Sequence, residues 1–208
     1  MIDIYLAVAA AIFLICILNR LRIDPLEMYV DLAEHYYIQF VSTLGQATWF
    51  SSYMVLLFPI GLFAFWHCDG LIKRLLAGAY VVLGAATMIA QNSDSAVLAY
   101  AAIYLVLFYV SFDDNERMKR FLESLLLLFA GWKVMGILQV AFPDRALELS
   151  GLMRALSIGP ICWAALVLTA VLYFDYRRRL KQDDFSVVNM KPQGFNWKLD
   201  VSLIAGVG

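Results

Sequence analysis

Lys133 lies near the middle of an apolar stretch covering residues 121–142, flanked by Gly131, Trp132 and Gly136. An ionisable group at that depth of a membrane normally faces a protein interior or a water-filled cavity. Lys133 is therefore a candidate for lining a translocation path, with Gln139 as a second polar candidate on the same stretch. Six residues advance about 600° around a helix, so the two do not share a face closely; Glu123, ten residues before Lys133, is no better placed. A counter-ion would have to come from another helix. Without one, Lys133 lines a hydrated path, sits neutral, snorkels or bonds neighbouring carbonyls.

A second constellation is Glu27, Asp31 and His35, spaced four apart so that they stack on one helical face, with Glu34 alongside. Carboxylates and an imidazole at this spacing could hold a divalent cation. The same acidic stripe is also what an interfacial helix carries opposite its apolar face, and the expectation is a partner-binding surface with no metal. His67, Cys68 and Asp69 are consecutive, so on a helix they would diverge; they read as a loop at the membrane edge. There is no GxSxG, HExxH or P-loop. Two histidines are too few to ligate paired haems in a bundle. The three cysteines (Cys16, Cys68, Cys162) have no CxxC spacing and read as buried free thiols. No cofactor and no catalytic residue is expected.

The elements that must position these residues are apolar. The chain of 208 residues is 62% hydrophobic and 16% charged, with a mean hydropathy of +0.74. A soluble domain has about 45–50% apolar and about 25% charged residues. Six apolar stretches cover residues 4–18, 49–66, 75–91, 96–112, 121–142 and 158–174. A helix needs about 20 apolar residues, and at least about 17, to cross a bilayer; the first and third stretches are at the short end. Trp49 and Trp66 are 17 residues apart, roughly 25 Å of helix, which would put both rings at interfaces. The net charge of −1 gives no electrostatic case for nucleic acid.

Positive charge sets the expected orientation. Loops after the second, fourth and sixth stretches, with the tail, hold eleven basic residues: Lys73, Arg74, Arg117, Lys119, Arg120, Arg177, Arg178, Arg179, Lys181, Lys191 and Lys198. The opposite side holds four: Arg20, Arg22, Arg145 and Arg154. The basic side, with the C-terminus, is expected to be cytoplasmic. The first stretch lacks a basic n-region and a small-x-small cleavage site, so it reads as a retained anchor, although Arg20 and Arg22 then fall on the wrong side.

Two segments depart from the spanning pattern. Asp24, Pro25 and Glu27 read as N-cap, first helical residue and N3 of an amphipathic interfacial helix over residues 24–45. In the tail, Phe195, Trp197 and Leu199 alternate with polar residues, the period of a half-buried strand; residues 185–190 could pair with it through a Pro192–Gly194 turn. Such a hairpin is marginal alone and needs a docking surface. Small-xxx-small pairs (Ala7/Ala11, Ala86/Ala90, Ala165/Thr169), with Gly78 and Gly84, suit close helix packing. Pro59–Ile60–Gly61 reads as a helix break in the second stretch, without a counterpart in the other half that would indicate an inverted-repeat transporter.

The expected fold is an all-α polytopic membrane protein. Residues 1–180 form a bundle of about six transmembrane helices, including the amphipathic interfacial helix, and residues 181–208 form a cytoplasmic tail with a small β-hairpin. The expected function is that of a non-enzymatic subunit of an oligomeric assembly in the cell's inner membrane, structural or pore-forming. Its partners would be the lipid bilayer and either further copies of the chain or other membrane subunits. The short loops, the acidic interfacial segment and the tail support that reading. The alternatives are a small-solute or ion transporter with Lys133 on its path, and a membrane-embedded metal-dependent enzyme using Glu27, Asp31 and His35.

Overall fold

A computed structural model describes residues 2–28, 42–44, 47–68 and 70–180. Among the described residues the regular elements are all helices: α1 (Ile2–Arg20), α2 (Ala47–His67), α3 (Leu71–Gln91), α4 (Asp94–Ser111), α5 (Asn115–Ala141), α6 (Gly151–Ser157) and α7 (Pro160–Leu180). The first five long helices are each long and apolar enough to cross a membrane, and α6 with α7 makes a sixth span if that pair, bent by 41°, counts as one. This is the make-up of an integral membrane protein. Exposed large apolar side chains on every long helix (Val8, Leu56, Leu75, Leu105, Val140, Leu168) fit a hydrocarbon solvent.

The bundle is built around α3, which packs on α1, α2 and α5, while α5 also carries α4, α6 and α7. The sequence of α3 explains its central place. Gly84, Ala85, Ala86 and Ala90 lie in a run from Gly84 to Gln91 that is buried on all sides, and small side chains let neighbouring backbones approach where lipid offers no hydrophobic drive. Gly84 faces Phe58 and Phe13, with no room for a Cβ before the Phe58 ring 2.6 Å away. The Tyr100 ring stacks on Phe58 at 4.3 Å between centroids, and its hydroxyl donates to the Gly84 carbonyl at 3.3 Å. Thr87 ties α3 to α1 by donating to the Phe13 carbonyl at 3.2 Å. By contrast α4 buries only Ala96, Tyr100, Tyr104, Leu107 and Ser111. Their spacing of four, four, three and four is a single stripe, so α4 packs one face and leaves the rest bare.

Several expectations change on this scaffold. Pro59 does not break the second span: α2 runs without interruption from Ala47 to His67. Gly61 leaves space for the Tyr80 ring, whose hydroxyl donates to the Leu57 carbonyl at 3.0 Å. The break lies instead at Gly159–Pro160, between α6 and α7. Proline lacks the N–H that a continuous helix needs, and its ring disfavours the helical conformation in the residue before it. The proposed capping of a helix at Asp24 also fails, because residues 24–28 form turns and Glu27 has a positive φ of 53°. Most of the expected interfacial helix lies outside the described residues, as does the whole tail from 181 to 208 with its expected hairpin. Ala86 and Ala90 are buried as their spacing implied, whereas Ala7 and Ala11 are exposed.

Candidate functional site

Two glycines on opposite sides of α5 let other backbones close on it. Gly131 faces α3, where an added Cβ would lie 2.4 Å from the Val82 carbonyl oxygen; Gly136 faces the break between α6 and α7, where a Cβ would lie 2.4 Å from the Ser157 oxygen. Lys133 sits three residues before Gly136, about 60° around the helix, and reaches into that break. It is buried, with 6% of its surface exposed. Its Nζ donates to the carbonyls of Ser157 at 2.9 Å, Ile158 at 3.3 Å and Gly159 at 3.3 Å. An ammonium has three N–H donors, and the cradle offers three acceptors. The last carbonyls of a helix have no in-helix donor, so the end of α6 presents oxygens that need one. Lys133 supplies it, at the negative end of the α6 dipole. The Trp163 ring completes the enclosure, with its centroid 4.8 Å from Nζ, a cation–π distance.

Beside this cradle lies a lateral groove of about 300 Å³, walled by Gly136, Ile137, Val140, Ile158 and Trp163. Gln139 points elsewhere: its Nε2 donates to the Leu147 carbonyl at 2.7 Å, holding the loop between α5 and α6. It lines a separate polar cavity of about 440 Å³ with Glu148 and Arg154. The two spaces share Val140 and Ile158 as walls. The same loop is gripped from α1. Arg20, fully buried, donates to the Glu148 carbonyl, and its own carbonyl accepts from the Leu147 N–H at 3.1 Å. Arg20 was read from sequence only as a flanking charge; in the fold it is a structural residue.

At the other end of the bundle a second polar group forms. Glu123 on α5 pairs with Arg74 on α3, accepts from the Tyr173 hydroxyl of α7 at 3.0 Å, and lies 3.7 Å from Arg120. Arg120 also pairs with Glu116 at 3.2 Å, as does Lys119 at 3.1 Å. A groove of about 530 Å³ runs from this cluster between α3, α5 and α7, walled by Leu75, Gly78, Ala79, Val82, Leu126 and Leu127. Sequence reading noted Glu123 only for its distance from Lys133 and missed Arg74 and Tyr173, which come from two other helices.

Of the other sequence candidates, Glu27 lies in a turn, while Asp31, Glu34, His35, Phe195, Trp197 and Leu199 lie outside the described residues. Among the described residues no three His, Cys, Asp or Glu side chains gather as a metal site. His67 donates from Nδ1 to the Phe63 carbonyl of its own helix at 2.9 Å. The three thiols are free, with Cys16 and Cys162 buried and Cys68 partly exposed. No family model, no curated protein and no solved structure matches this chain.

Proposed function

We propose that this protein is a non-enzymatic integral membrane subunit of an oligomeric assembly, with its basic loops and C-terminus in the cytoplasm. The observation that carries this reading is the use made of Lys133. The one lysine in the middle of a span has its three donors taken up by the backbone of a helix break, which makes it a pin of the architecture. The described loops between the long helices are short, and α4 keeps most of its circumference bare, a surface available to lipid or to neighbouring subunits. Mass measurement and crosslinking in a native lipid or mild detergent environment test the proposal. Oligomers or stoichiometric complexes are expected; monomers without partners would overturn it.

One observation favours a second reading, a small-solute or ion transporter. Broken helices whose free carbonyls face a cation near mid-membrane recur in transporters, and a polar cavity adjoins the groove beside Lys133. In that reading Lys133→Leu abolishes flux in proteoliposomes while insertion is kept. Unchanged flux would remove it.

A further inference from the structure

We infer that the groove between α3, α5 and α7 holds one anionic phospholipid, its phosphate at Arg74 and an acyl chain along Leu75, Gly78, Val82 and Leu127. The inference rests on the membrane placement of the bundle and is independent of the subunit reading. Its physical basis is a groove of two characters. The floor and walls are apolar, and Gly78 and Ala79 on α3 keep it open, since larger side chains there would fill the space. The mouth carries charge. Arg74 and Arg120 share the single carboxylate of Glu123, and Glu116 must serve both Arg120 and Lys119. The charged groups lining the groove itself are Arg74 and Glu123, and Glu123 is shared between Arg74 and Arg120. Lys73 next to Arg74 is exposed, and so is Arg177.

Two geometric facts select a lipid over a soluble anion. Arg74 is one-third exposed and commits one amino group to Glu123, so other N–H donors of its five remain to meet a phosphate. The wall below it is continuous hydrocarbon, which a phosphate ion alone would leave bare. Basic pockets between transmembrane helices on the cytoplasmic side are where anionic headgroups bind, and this end of the bundle carries the arginine and lysine excess. The Glu123 carboxylate orients Arg74 across the groove and also opposes a phosphate, so its removal strengthens binding.

The test is native mass spectrometry of the full chain exchanged into detergent with phosphatidylglycerol or phosphatidylcholine, with thermal shift as a second readout. The wild type is expected to retain phosphatidylglycerol preferentially. Arg74→Gln is expected to weaken that retention about fivefold, the share of one basic residue at a membrane surface, and Arg74→Lys to keep most of it. Ala79→Trp, which fills the groove from its open side, is expected to abolish retention of either lipid. Equal retention by wild type, Arg74→Gln and Ala79→Trp overturns the site. So does a thermal shift from inorganic phosphate or glycerol phosphate as large as that from phosphatidylglycerol, which would mark a soluble-anion site. Release of the wild type from membranes by alkaline carbonate would instead refute the membrane placement on which the inference rests.

Discussion

Lys133 on α5 and Arg74 on α3 are both cations at the interfaces of α5, and the protein answers them by opposite means. At the Arg74 end a carboxylate does the work, supported by a tyrosine hydroxyl and open to water or headgroups. At mid-span no ion is spent. The acceptors are backbone carbonyls at the Gly159–Pro160 break, among them that of Ser157, the last residue of α6. Burying a carboxylate there would add a second desolvation penalty of several kcal/mol, whereas the carbonyls at a helix end must find a donor in any case. A deep charge is tolerable where the backbone supplies its partner; a peripheral one can be left partly unmatched and available to a ligand.

Breaking the deep arrangement should have the largest effect. Gly136→Val would push α6 off α5, because a Cβ there lies 2.4 Å from the Ser157 oxygen. A loss of about 3 kcal/mol or more is expected from such overpacking, visible as lost monodisperse protein or a sharply lowered unfolding temperature. Lys133→Met keeps the bulk and removes the donors. Leaving buried carbonyls unsatisfied costs about 1–3 kcal/mol, so thermal unfolding in detergent should show an intermediate drop. At the peripheral site Glu123→Gln should cost about 1 kcal/mol or less, since Arg74 is partly exposed, and should raise phosphatidylglycerol retention. Lys119→Ala removes an exposed pair within one helix and should move stability by no more than about 0.5 kcal/mol. An effect of Lys119→Ala equal to that of Lys133→Met would erase the distinction between the two ends.

Hydropathy made the spans legible: each of the six apolar stretches falls on one long helix, because crossing hydrocarbon demands length and apolarity that few other structures imitate. Lys133 and Gly136 were visible as an unusual pair. Bonding to carbonyls was among the readings open for Lys133 and is what the fold shows; which carbonyls was not legible, because a carbonyl has no signature in the sequence. The available signal was Gly159–Pro160, just after Ser157, the pair that marks the actual break. Pro59 near Gly61 carried the same kind of signal and misled, because membrane helices tolerate an internal proline and α2 continues through it. The Arg74–Glu123–Tyr173 cluster was illegible for another reason. Its members lie about 50 residues apart in sequence and meet only through the packing of α3, α5 and α7.

The central claim is that Lys133 pins the broken helix to α5. Amide hydrogen exchange of the Lys133→Met variant against the wild type, in the same lipid environment, tests it most directly. Protection should fall across residues 151–163 and remain unchanged in α3, to which Lys133 donates no hydrogen bond. Unchanged protection across residues 151–163 would show that the break stands without its lysine and contradict the account.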